Sequence, residues 1–201
     1  MIAIIDYGAG NLYSVKNALD YLGKKAVITG NGREIEGADR IILPGVGSFG
    51  EAMSAISAAG LDRVVIEAAE KNVPLLGICL GLQLMFEESE ESPGVRGLGI
   101  FKGKCVRIPE KPGLKIPHIG WNSLEIKENS GIYKGLPEEP YVYFVHSYYI
   151  NAENENDVSA YTRYGERLGV SVAKGNVFAT QFHPEKSGET GLKILKNFTE
   201  L

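Results

Sequence analysis

Short, nearly continuous apolar runs alternate along the chain with longer stretches whose apolar positions recur every three or four residues. Residues 2–6, 25–29, 40–43 and 73–78 are such runs, and most end in glycine, proline or polar turn residues. Runs of this kind predict strands buried on both faces. After the first, Leu12, Val15, Ala18, Leu19 and Leu22 fall at helical spacing, with Gly23 placed to end the helix. Further helices are predicted over 49–59 and 61–71, separated by Gly60, and over 80–88 directly after the fourth strand. This alternation implies a parallel sheet covered on both faces. The second half differs: 102–108, 123–127, 141–150, 158–164, 168–173 and 177–182 read as strands with short turns, Lys174-Gly175-Asn176 being a hairpin turn. A last helix over 189–201 places Leu192, Leu195 and Phe198 on one face. Residues 87–97 and 128–140 read as surface loops and not as linkers. The expectation is one α/β domain over 1–201, with a mostly parallel central sheet flanked by helices and extended by antiparallel strands.

Composition narrows the function classes. With 201 residues, 44% hydrophobic and 23% charged, the chain is long enough for a real core. Its 21 Lys and Arg against 25 Asp and Glu give a net charge of −4, without the basic excess that phosphate-backbone binding needs, so no nucleic-acid partner is expected. Two cysteines, Cys79 and Cys105, make no disulfide framework. The start, Met1-Ile2-Ala3-Ile4-Ile5-Asp6, lacks the basic flank of an export signal. The longest apolar stretch, 73–86, is interrupted by Pro74, Gly77, Gly81 and Gln83 and is too short to span a bilayer. These features predict a cytoplasmic protein with no membrane contact. The 25 glycines follow no fixed period, and many stand where an apolar run ends.

The sharpest chemical signal is Gly77-Ile78-Cys79-Leu80-Gly81, a Gly-x-nucleophile-x-Gly pattern where an apolar strand meets a helix. A tight strand-to-helix turn lifts the side chain out of the sheet, and flanking glycines make room for a strained backbone. The helix start favours the thiolate, and the Leu80 N–H is free to face a developing oxyanion. The alternative is a small buried structural thiol, which is the reading for Cys105. A thiol nucleophile needs a base and the base an orienter. His183 ends the apolar run 177–182, and Glu185 follows across the stiff Pro184, so Cys79, His183 and Glu185 form a candidate triad. His146, within an aromatic strand, and His118, near Trp121, are explained as well by packing. No His, Cys or carboxylate set has the close spacing of metal ligands, so no structural zinc is predicted.

Two glycine-rich loops close predicted strands. Gly8-Ala9-Gly10 invites a dinucleotide reading, but the third glycine of that fingerprint falls at Tyr13 and no acid ends the second strand. Pro44-Gly45-Val46-Gly47-Ser48-Phe49-Gly50 lacks the Gly-Lys-Ser/Thr of a P-loop; its backbone amides suit the second half of an oxyanion hole facing Cys79, or merely a turn that lets the next helix pack.

Pro-Gly-Val-Gly-Ser-Phe-Gly at Pro44, Gly-Ile-Cys-Leu-Gly-Leu-Gln at Gly77 and Gln-Phe-His-Pro-Glu-Lys at Gln181 resemble the class I (triad) glutamine amidotransferases, whose fold is flavodoxin-like. Within that class, Ile-Asp-Tyr-Gly-Ala-Gly-Asn at Ile5 and Pro-His-Ile-Gly-Trp-Asn at Pro117 are most similar to the glutaminase subunits of imidazole glycerol phosphate synthases. The resemblance runs the whole length with no added synthetase domain, implying a stand-alone subunit without a cofactor. It implies that Cys79 attacks the side-chain amide of glutamine, that His183 moves the proton and that Glu185 orients it. By the same resemblance the amides of Val46 and Leu80 hold the oxyanion, while Gln83 and His146-Ser147-Tyr148 bind the amino-acid end of glutamine. Ammonia would pass to a separate (β/α)₈ cyclase/synthase (HisF-type) subunit acting on a phosphoribulosyl-formimino nucleotide in histidine biosynthesis. Asn11, Trp121, Tyr143 and Lys186 match positions near that interface and gate, and each is also explicable as a surface or packing residue. Gly45 is the expected hinge for a flip of the Gly45–Val46 peptide, so that Gly45→Ala should uncouple or abolish stimulation by the partner. The rival readings are the glutaminase of pyridoxal phosphate synthase, expected to carry Pro-Gly-Gly-Glu-Ser where this chain has Pro-Gly-Val-Gly-Ser, a cysteine hydrolase on a similar sheet, and a flavodoxin-like module without catalysis.

Overall fold

The structure is a computed structural model that describes residues 1–128 and 131–201. The first half contains β1 (Ile2–Ile5), α1 (Leu12–Tyr21), β2 (Ala26–Thr29), α2 (Gly32–Glu36), β3 (Arg40–Gly45), α3 (Phe49–Ala58), α4 (Leu61–Glu70), β4 (Leu75–Cys79) and α5 (Leu80–Leu84). The second contains β5 (Glu88–Ser89), β6 (Gly103–Arg107), β7 (His118–Ser123), β8 (Glu125–Ile126), β9 (Tyr141–His146), β10 (Tyr148–Ala152), β11 (Val158–Tyr164), β12 (Glu166–Lys174), β13 (Val177–Thr180) and α6 (Gly188–Thr199). The main sheet runs β2-β1-β3-β4-β13-β12-β10-β6-β5, with β11 on β12 and β8 on β11. Its first five strands are parallel, and β12 turns antiparallel onto β13 through the Gly175 turn.

Alternation along the buried strands divides the core in two. Ala3, Ile5, Ile41, Leu43 and Leu75 face one way, onto Phe49 and Ile56 of α3 and Leu61 and Val65 of α4. Ile2, Ile4, Ile42, Leu76 and Ile78 face the other, onto Val15 and Leu19 of α1 and Ile194, Leu195 and Phe198 of α6. This is the two-faced parallel sheet that the near-continuous apolar runs required. Among the described residues no helix is long and apolar enough to cross a membrane.

Several elements differ from expectation. The helix expected over 80–88 stops at Leu84, because the chain from 98 to 101 takes its last carbonyls: the N–H groups of Leu98 and Phe101 donate to Leu84 (2.8 Å) and Met85 (3.0 Å). The strand expected over 141–150 is two strands broken at Ser147, with β9 leaving the main sheet to pair with β7 in a separate ribbon while β10 stays. Residues 118–123 form a strand where a loop was expected, and the strand expected over 123–127 shrinks to β8. The reason is an inverted pattern: His118 is buried, while Ile119 and Trp121 on the opposite face are exposed. The loop expected over 87–97 contributes β5 to the sheet edge, with Ser89 buried. Within 128–140, Asn129 and Ser130 lie outside the described residues, and Gly131–Tyr133 forms a 3₁₀ turn that buries Ile132 and Tyr133. The short α2, capped by the Asn31 side chain on the Arg33 N–H, had no apolar period to announce it.

Candidate active site

Three adjacent parallel strands, β3, β4 and β13, bring their C-terminal ends together, with Gly45 opposite Cys79 in register. Cys79 has φ +56° and ψ −109°, a conformation that non-glycine residues rarely hold and that turns the thiol out of the sheet at the start of α5. The flanking glycines have steric causes. A methyl group on Gly81 would collide with the Leu43 carbonyl oxygen, and one on Gly77 would stand 3.0 Å from both Ala179 Cβ and the Gly81 backbone. As the first residue of α5, Leu80 has no intrahelical partner for its N–H. Gly45 is the last residue of β3, where a Cβ would sit 2.5 Å from the Tyr7 hydroxyl and 2.9 Å from Leu80 Cβ. Replacing Gly45 by alanine therefore displaces the strand from α5 as well as stiffening it, so that substitution does not isolate a hinge. Val46, next along, is exposed.

His183 directly follows the Gln181-Phe182 pair at the end of β13 and donates from Nδ1 to Glu185 Oε1 at 2.8 Å, both side chains being fully or almost fully buried. Pro184 opens the 3₁₀ turn between them. The turn is locked to β9: the His183 N–H donates to the Tyr143 carbonyl (3.1 Å), and Ser187 Oγ accepts from the Tyr143 N–H (2.9 Å) while donating to the His183 carbonyl (2.7 Å). With Nδ1 committed to Glu185, Nε2 is the nitrogen left free, and it has no hydrogen-bond partner among the described residues. Burial works against a charge on His183, but the neighbouring Cys79 sulfur and the Glu185 carboxylate outweigh it and raise its pKa to about 10. Because the folded value exceeds the ordinary 6.5, the pairing stabilises the fold fully below pH 6.5 and is lost as pH rises through about 10. In Cys79→Ala the largest favourable partner is gone and burial remains, so the His183 titration should move down. Imidazole NMR resonances followed against pH check this; an unmoved titration would mean that Cys79 does not pair with His183.

The thiol and the imidazole share a cleft of about 360 Å³. Gln83, His146, Ser147 and Tyr148 also line it, so the structure brings together every residue expected at the amino-acid end of the substrate. Two cavities of similar size elsewhere, about 390 and 380 Å³, contain no thiol. The sequence reading missed two cleft residues. Gln181 is fully buried, its amide nitrogen 3.8 Å from Cys79 Sγ and its oxygen accepting from Gln83 Nε2 at 3.1 Å, so it links nucleophile and pocket wall. Glu91, from the segment read as a surface loop, lines the cleft and accepts from the Phe49 N–H at 2.8 Å, capping α3. Tyr7 was missed too; its buried hydroxyl packs against Gly45 without a partner among the described residues. Cys105 is a core thiol, 0% exposed, and burial pushes its pKa up.

Of the residues expected at an interface, Trp121 is 55% exposed and meets Tyr143 edge-on, ring centroids 6.1 Å apart. Lys186 is exposed in the turn after His183, and Asn11 stands at the N-cap of α1 without a side-chain cap bond.

A thiol on a strained elbow beside a carboxylate-held imidazole is the equipment of covalent acyl transfer. The family model of class I glutamine amidotransferases matches residues 3–201, and the chain belongs to that family. Over its full length it is 52% identical to the imidazole glycerol phosphate synthase subunit HisH of Caldanaerobacter subterraneus subsp. tengcongensis, covering 98% of that protein. It is 48% identical to the subunit of the same name from Methanocaldococcus jannaschii, covering all of both chains. The fold is shared with PurLQS of Thermotoga maritima, at a TM-score of 0.76 with 21% identity over 99% of this chain and 97% of that one.

Proposed function

We propose that this chain is the glutaminase subunit of an imidazole glycerol phosphate synthase, hydrolysing L-glutamine to L-glutamate and supplying the ammonia to a synthase subunit. Full-length identity of about half to proteins of that name supports the assignment. One structural observation carries the chemistry: Cys79 at positive φ in the same cleft as an imidazole held 2.8 Å from a buried carboxylate. Cys79 Sγ, its proton already passed to His183 Nε2, attacks the side-chain amide carbon of glutamine as the thiolate. The oxyanion is received by the N–H groups of Leu80 and Val46. Collapse of the tetrahedral adduct breaks the C–N bond, His183 returns the proton to the leaving nitrogen, and ammonia departs from a γ-glutamyl thioester. Water, deprotonated by His183, then releases glutamate and restores the thiol.

The amino-acid end of glutamine lies towards Gln83, Ser147 and Tyr148. Glu91 is the one carboxylate among the cleft-lining residues and suits the substrate ammonium. Glu91→Gln keeps an acceptor for the Phe49 N–H but removes the charge. It should raise KM for glutamine by about tenfold or more with kcat little changed, since a charge-assisted hydrogen bond contributes about 1.5–3 kcal/mol. An unchanged KM would remove Glu91 from substrate binding.

The whole chain acts as one amidotransferase domain, in the cytoplasm. Its partner is the (β/α)₈ cyclase of the HisF type, docking over the face that carries Trp121 and Tyr143, with Asn11 and Lys186 at its margin. Exposed Ile119 and Trp121 on the outer side of β7 are the apolar surface such a partner would cover. The test is glutamate release by the chain alone, then with the synthase subunit and its nucleotide. Strong stimulation by both together supports the assignment. Absence of release, with no labelling of Cys79 by an electrophilic glutamine analogue, overturns it.

A further inference from the structure

His118 and His146 are opposed residues on β7 and β9, and both are buried. His146 Nδ1 lies 2.9 Å from the Tyr148 carbonyl oxygen, and its Nε2 lies 3.0 Å from His118 Nδ1. His118 Nε2 lies 3.4 Å from Asn122 Nδ2. Each end of this chain fixes the protons independently. A carbonyl can only accept, so His146 Nδ1 carries a hydrogen, its Nε2 is the acceptor, and His118 Nδ1 is the donor. At the other end, Asn122 accepts from the Ser123 N–H (2.9 Å) with its oxygen and donates to the Arg163 carbonyl (2.9 Å) with its nitrogen. That orientation presents an N–H to His118 Nε2, which must therefore be the unprotonated nitrogen. The two assignments agree, and both imidazoles are neutral. Burial holds His118 down to about 4 and His146 down to about 3.

Although His146 lines the cleft, neither of its nitrogens is free for a substrate. What it holds instead is the Tyr148 carbonyl, at the point where the chain leaves the β7–β9 ribbon for the main sheet and forms the cleft wall at Ser147 and Tyr148. His118, ring-stacked between Phe144 (4.8 Å) and Tyr164 (3.9 Å), sets the direction of His146 from behind. We propose that His118 is a positioning residue for the substrate: acting through His146, it fixes the Ser147–Tyr148 wall and so governs affinity for glutamine, leaving the chemical step to the triad. The proposal rests on glutamine being the substrate of this cleft.

Two variants separate the hydrogen bond from the packing. His118→Leu removes the donor. His118→Asn places an amide nitrogen where Nδ1 stood, restoring the donor while losing the same ring stack. Steady-state kinetics should give His118→Leu a glutamine KM raised about tenfold with kcat within about twofold of the parent, a loss matching one hydrogen bond to a buried acceptor. His118→Asn should return KM to within about threefold of the parent, although thermal unfolding shows it as destabilised as the leucine variant. Calorimetric binding of glutamine to each variant in a Cys79→Ala background should follow the same order. Equal KM in both variants, or a fall in kcat at constant KM, would overturn the proposal. Failure of the Cys79→Ala parent itself to bind glutamine would instead overturn the glutaminase reading and take this one with it.

Discussion

Cys79→Ala should lose glutamine hydrolysis by at least about 10⁴-fold, in the presence of the synthase subunit and its nucleotide, while remaining folded. The magnitude is that of removing the nucleophile from a unit in which base and orienter have no other purpose. Alanine keeps the Cβ and therefore the strain of φ +56°, so its stability changes only by the loss of the pairing with His183. Cys79→Gly isolates the strain of the elbow. Glycine tolerates that conformation, so this equally inactive variant should be more stable than Cys79→Ala by about 1 kcal/mol or more. Chemical denaturation compares the two. If the glycine variant were no more stable, the elbow would not be strained, and the account of why the thiol stands clear of the sheet would fail.

Gly81→Ala should have a large effect on the fold and on turnover. The new Cβ would run into the Leu43 carbonyl of β3, which is backbone and cannot swing aside. α5 must back away from the sheet, taking the Leu80 N–H with it. Overpacking of this kind costs about 3 kcal/mol or more, and misplacing an oxyanion donor by about 1 Å costs about 100-fold in kcat. Urea titration and steady-state kinetics read the two losses. Gly32→Ala is the control: its methyl would only touch Val64 at 3.4 Å, and stability should change by less than about 1 kcal/mol. Equal behaviour of the two variants would show that Gly81 is not there for close approach.

The parts of this site that were legible in the sequence are those fixed within a few residues. A thiol between two glycines at a strand end and a histidine two residues before a glutamate are local patterns, and both form as expected. The parallel half of the sheet was legible because strands buried on both faces are apolar throughout. What could not be read depends on distant partners. Gln181 gains its place because Gln83 and Cys79 meet it from another strand and helix. Glu91 reads as a solvated acid until its segment folds over the start of α3. β7 hides because its buried face carries His118 and its exposed face Ile119 and Trp121, the reverse of an ordinary half-buried strand. The break at Ser147 is likewise imposed from outside, by β7 pairing with one side of it and β6 with the other.

Catalysis by this triad runs through a γ-glutamyl thioester on Cys79. This is tested most directly by mixing the chain with glutamine, the synthase subunit and its nucleotide, quenching with acid during turnover, and mapping the adduct by peptide mass spectrometry. One glutamyl group is expected, on the peptide containing Cys79 and absent in Cys79→Ala. Turnover with an adduct on another residue, or with an adduct-free enzyme under conditions where acylation outpaces hydrolysis, would contradict it.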